Sequence, residues 1–137
     1  MTDPDHASTD DRRAVLVVED NEMTRQFLSM ALNTAFRVTI TKSATEALER
    51  IHQGAPLFDV FLLDISLRFG PGGVAILREL REMDAYRYTP AIAITAYEPN
   101  AAPEDFMAAG FDGYLRKPFY QAELLELIDK LLASDAG

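Results

Sequence analysis

The sequence predicts an α/β domain built on a parallel sheet, and three observations carry the prediction. Apolar runs recur through the chain, among them AVLVV at 14–18, DVFLL at 59–63, PAIAI at 90–94 and the shorter DGYLR at 112–116. Helical stretches of roughly 10 to 15 residues separate them, which is the alternation of βαβ units. These runs also end in reactive side chains: Glu19 and Asp20, then Asp64, Thr95 and Lys117. Parallel strands bring their carboxyl ends to one edge of the sheet, so these scattered residues are expected to converge on one site.

The elements follow in order. The first strand is 14–18, and the helix after it runs from about Glu22 to Asn33, where the spacing of Met23, Phe27, Met30 and Ala31 predicts a face that is mostly core. A strand at 36–41 leads to a helix at 43–53, opened by Ser43 and Glu46 at capping-box spacing and closed by Gly54, which tolerates the left-handed backbone of a helix C-terminus. The third strand is 59–63. Gly70-Pro71-Gly72-Gly73 has no Lys after it, so it reads as a turn into a third helix from Gly73 to about Met83 rather than as a phosphate-binding loop. A strand at 91–95, a helix from about Pro103 to Ala109 stopped by Gly110, and a strand at 113–116 come next. The last helix, Tyr120 to Ala133, carries Leu124, Leu127, Ile128, Leu131 and Leu132 as an apolar stripe. Residues 1–13, rich in Asp, Ser, Thr and Pro, are expected to form a disordered tail and 134–137 a short second one, leaving 14–133 as the domain. His6 and His52 lack partners at metal-ligand spacing and are expected to be solvated.

Composition narrows the function. A chain of 137 residues with 48% apolar content holds one core. Its net charge of −9 opposes binding to nucleic acid or to an anionic membrane surface. The absence of cysteine excludes disulfides, thiolate catalysis and Cys-based zinc sites. No apolar stretch approaches the roughly 20 residues of a membrane span, and the polar start MTDPDHASTDD is unlike a signal peptide, so a cytoplasmic location is expected. The initiating Met1, and the close of the chain soon after the fifth helix, suggest a stand-alone protein with no output domain.

The converging residues have a definite chemistry. Carboxylates about 4 Å apart repel by about 4 kcal/mol at an effective dielectric near 20, so Glu19, Asp20 and Asp64 need a counter-charge. A hard divalent cation, Mg²⁺ or Mn²⁺, supplies it through oxygen ligands. Lys117 adds a second cation and Thr95 a hydroxyl, and together these suit an anion held on Asp64. Acids after the first strand select a metal rather than a bare phosphate, which speaks against a dinucleotide or P-loop site. In isolation each residue has a plainer reading: Asp64 as a turn cap, Glu19 or Asp20 as the cap of the first helix, Thr95 as a strand former, Lys117 as surface charge.

Taken together, the motifs resemble the receiver domain of two-component response regulators over about residues 13 to 133. VVEDN at 17–21, LLDISL at 62–67, the Gly73 that opens the third helix, AITA at 93–96 and GYLRKPF at 113–119 stand in order and at family spacing. The resemblance implies a CheY-like (βα)5 fold with strand order 2-1-3-4-5 and helices on both faces. It implies phosphorylation of Asp64 by a histidine kinase or histidine phosphotransfer protein, with Glu19, Asp20, Asp64 and the backbone carbonyl of Ser66 on Mg²⁺. It implies contacts from Thr95 and Lys117 to the phosphoryl oxygens, Tyr114 as an aromatic switch residue, a cis Lys117-Pro118 bond, and a downstream protein target on the face of the fourth helix, fifth strand and fifth helix. One of the first helix's Met side chains is a candidate to dock the phosphodonor. The chain departs from the family in having Arg68 where a proline is common, in a loop to Gly73 one residue longer than in the chemotaxis type, and in carrying Ser66 and Tyr97 at the two positions that flank the attacking water. Two other functions are weighed: an aspartyl-phosphate metal-dependent phosphohydrolase, disfavoured because Ser66 stands where a second Asp is usual, and a receiver-like interaction module that is never phosphorylated.

Overall fold

The computed structural model describes residues 11–54, 57–65, 72–96 and 103–136. Its strands are β1 (Ala14–Val18), β2 (Arg37–Thr41), β3 (Val60–Asp64), β4 (Ala91–Thr95) and β5 (Gly113–Arg116). Its helices are α1 (Glu22–Leu32), α2 (Ala44–His52), α3 (Gly73–Arg81), α4 (Pro103–Ala109) and α5 (Gln121–Ala136), with a single 3₁₀ turn at Asp84–Tyr86 after α3. Every strand pair is parallel and the order is β2-β1-β3-β4-β5. The inner strands β1, β3 and β4 are buried along their whole length, which is why they read as unbroken apolar runs: a parallel sheet is covered on both faces.

The two-residue period of the strands sorts the core into two layers. Leu16, Val18, Phe61, Leu63, Ala91 and Ala93 pack with α2 and α3 through Ala47, Ile51, Ile76 and Leu80. Val15, Val17, Leu62, Ile92, Ile94 and Leu115 pack on the other face with α1 and α5 through Leu28, Leu32, Leu124, Ile128 and Leu132. The α5 stripe behaves as its spacing predicts, with Leu127 and Leu131 partly buried at its margin.

Helix α1 corrects the expected core face. Leu28, Ala31 and Leu32 are buried, whereas Met23 and Met30 are 79% and 80% exposed and Phe27 is 37% exposed. The helix carries two apolar stripes, and the one that contains Leu28 and Leu32 meets the sheet. Asn21, rather than either preceding acid, caps this helix: its side chain accepts the Thr24 amide at 2.8 Å. At α2 the expected cap forms, with Ser43 Oγ accepting the Glu46 amide, but the Glu46 carboxylate reaches back to the Lys42 amide rather than to that of Ser43. Tyr120 precedes α5, its amide held by Glu123 at 3.0 Å, and the helix continues to Ala136 because no Gly or Pro interrupts 133–136.

Gly54 and Gly110 have φ of +85° and +110°, the left-handed ends expected of them. Arg81, at the end of α3, ties down the far side of the molecule. Its guanidinium donates to the carbonyls of Tyr86, Thr89 and Gly110 and to Asp112 Oδ2, which also accepts the Ala91 amide. Along the same strand-entry edge, Arg12 and Arg13 are already held, by bonds to Asn33 and Arg37. Residues 1–10 of the expected N-terminal tail lie outside the described residues.

Candidate functional site

Glu19, Asp20, Asp64, Thr95 and Lys117 lie at or just beyond the carboxyl ends of β1, β3, β4 and β5, along one sheet edge. One carboxylate oxygen from each of Glu19, Asp20 and Asp64 falls within 4.8 Å of the others. Asp64 is the last residue of β3 and only 2% exposed. Lys117 Nζ stands 2.8 Å from Glu19 Oε1 and 3.6 Å from Asp64 Oδ2. The backbone aligns the rest, since Ile65 donates to the Ile94 carbonyl and Lys117 to the Thr95 carbonyl. The Lys117-Pro118 bond is cis.

Strand phase explains which side chains meet. Glu19, Asp64 and Lys117 are in step with the residues facing α1 and α5, whereas Thr95 and Tyr114 are in step with the opposite face. The Thr95 hydroxyl donates to the Ala96 carbonyl at 3.0 Å, and the half-buried Tyr114 ring stacks on Phe106 of α4 at 5.8 Å and 28°. Gly73 fits beneath Asp64: a Cβ there would come within 2.7 Å of the Asp64 carbonyl. Ser66, Arg68 and Tyr97 lie outside the described residues.

Glu19 is wholly buried: the Lys117 ammonium stands 2.8 Å from its Oε1, Oε2 accepts the Asn21 amide at 3.0 Å, and the Asp64 carboxylate interacts with it as well. Desolvation pushes the Glu19 carboxyl up from its ordinary range, partly offset by Lys117 and the Asn21 amide, while Asp64 pushes it further up. A buried carboxylate that shares one ammonium with Asp64, beside a third carboxylate, fits a hard divalent cation.

Residues 15–129 match the family model of the response regulator receiver domain. The chain belongs to the response regulator receiver family. The receiver is 32% identical over 121 residues to hybrid signal transduction histidine kinase I of Dictyostelium discoideum, an alignment that covers 84% of this chain but 7% of that much longer protein. It is 29% identical over 121 residues to the polar-differentiation response regulator DivK of Brucella anthropi, covering 88% of this chain and 96% of that one. Among solved structures it resembles a response regulator from Chloroflexus aurantiacus (TM-score 0.80, 28% identity, 89% of this chain and 98% of that one). It also resembles the receiver domain of sensor histidine kinase PA1611 of Pseudomonas aeruginosa, which holds a magnesium ion in its active-site cleft (TM-score 0.78, 28% identity, 89% and 98%). The family is one of signalling switches, and among the described residues no helix is long and apolar enough to cross a membrane.

Sequence reasoning missed three residues around the receiver site. Asn21 has the N-cap spacing to Thr24 and was legible. Arg25, which donates to the Glu19 carbonyl at 3.1 Å, and Phe106, which meets Tyr114, left no local signal because their partners are set by the tertiary fold. Beside Lys117 a groove of about 430 Å³ is lined by Met23, Thr24, Phe27, Pro118 and Phe119, with Phe27 edge-on to Phe119 at 5.7 Å.

Proposed function

We propose that Asp64 accepts a phosphoryl group from a phosphohistidine presented by a histidine kinase or a histidine phosphotransfer protein. One carboxylate oxygen attacks phosphorus, the P–N bond breaks, and its electron pair returns to the imidazole nitrogen. The observation that carries the reading is the grouping of a buried Asp64 with two further carboxylates within 4.8 Å and an ammonium at 3.6 Å. Glu19, Asp20, Asp64 and the Ser66 carbonyl would hold Mg²⁺ or Mn²⁺, and such an ion supplies charge stabilisation to the phosphoryl oxygens during transfer. Lys117 takes one phosphoryl oxygen. Thr95 gives up the Ala96 carbonyl to bind another, and Tyr114 turns in behind it. The resulting change on the α4–β5–α5 face is what a downstream protein reads.

The exposed Met23 and Phe27, with Phe119, give the phosphodonor an apolar seat next to Lys117. Incubation with acetyl phosphate and Mg²⁺ should add one phosphoryl group by intact mass, and Asp64→Asn should take up none. Phosphorylation that persists in that variant rejects the assignment.

A further inference from the structure

We propose that Arg25 is a positioning residue for the acidic pair: its guanidinium holds the Glu19 carbonyl and thereby sets how Glu19 and Asp20 present carboxylates to a divalent cation. Glu19 lies one residue past β1, where pairing with β2 and β3 has ended at Val18. Its backbone is held on one side by donation of its amide to the Thr41 carbonyl at 3.0 Å, and on the other by Arg25 Nη1, 3.1 Å from its own carbonyl. The Glu19 carbonyl and the Asp20 amide belong to one planar peptide group, so fixing that oxygen fixes the plane from which Asp20 departs. Arg25 is half-buried in the first turn of α1, and the following turn of that helix is anchored to the sheet through Leu28, so the donor comes from a rigid element.

This role and simple electrostatics have opposite signs. A guanidinium near the site repels a dication, so removing its charge alone tightens metal binding; losing the anchor loosens it. The inference rests on the metal site proposed above, and Mg²⁺ titration calorimetry on metal-free protein tests both. Arg25→Met, which has neither charge nor donor, should bind Mg²⁺ about tenfold more weakly, whereas Arg25→Lys, which keeps a charged donor of nearly the same reach, should stay within about twofold of wild type. Unfolding in chelator separates loss of affinity from loss of fold, and Arg25→Ala replaces Arg25→Met should the latter not fold. Binding by the donor-free variant that equals or exceeds wild type overturns the inference. Asp20→Asn serves as the control: if it leaves Mg²⁺ binding intact, the metal site itself is misassigned, whereas if it abolishes binding while Arg25→Met changes nothing, only the role of Arg25 fails.

Discussion

Lys117 stands closer to Glu19, at 2.8 Å, than to Asp64, at 3.6 Å, so one partly exposed ammonium compensates two buried carboxylates. Lys117→Met removes that compensation. Metal-free stability at neutral pH should fall by about 1–3 kcal/mol, less than for a fully buried pair because the ammonium side chain is 25% exposed. Mg²⁺ should recover much of the loss. Urea unfolding with and without Mg²⁺ reads this directly, and an equal loss in both conditions would show that the ion does not share Lys117's partners.

Burial gives Glu19 a pH signature. A carboxyl with a raised folded value costs nothing when both states are protonated, and its burial counts against the fold once both are ionised. Its contribution to metal-free stability therefore declines as pH rises above 4.5, and levels off beyond the folded value. Glu19→Gln has no such slope. In chelator, the stability of this variant relative to wild type should grow from about pH 4.5 to neutrality; a constant difference would mean that Glu19 is not the group being desolvated.

Phe106 holds the ring that the proposed switch must turn. Phe106→Ala removes a ring contact worth about 0.5–1.5 kcal/mol. The aromatic resonances of Tyr114 in the unphosphorylated variant should then move part of the way toward those of wild type treated with beryllofluoride. Unchanged Tyr114 signals would place the switch's restraint elsewhere.

Phe27 distinguishes docking from chemistry. Phe27→Ser takes the ring out of the apolar groove without adding a charge beside Lys117, which also lines it. Transfer from a phosphohistidine protein should slow by about tenfold or more, corresponding to at least 1.4 kcal/mol, while the rate with acetyl phosphate stays within about twofold. Equal slowing with both donors would count against the groove as a docking seat.

Much of this arrangement was legible before any coordinates. Apolar runs that end in Asp64, Thr95 and Lys117 dictate a shared sheet edge, and Gly54 and Gly110 mark their helix ends by backbone freedom alone. The failures have a common cause in facing. Met23, Phe27 and Met30 have helical spacing as good as that of Leu28 and Leu32, and only docking on Val15 and Val17 decides which stripe is covered. Likewise, sequence spacing cannot say that Lys117 leans to Glu19 while Thr95 turns to Ala96, because that depends on strand phase across the assembled sheet.

The Arg81 cluster limits how α4 is able to respond. Because Arg81 of α3 holds both the carbonyl of Gly110 and the side chain of Asp112, which also takes the Ala91 amide at the start of β4, the trailing end of α4 is pinned. Under the switch proposed above, displacement near Thr95 would become a change of helix tilt rather than a slide along the sheet. A protein gripping that face would sense an angle, with the greatest travel at the end nearest the carboxylates.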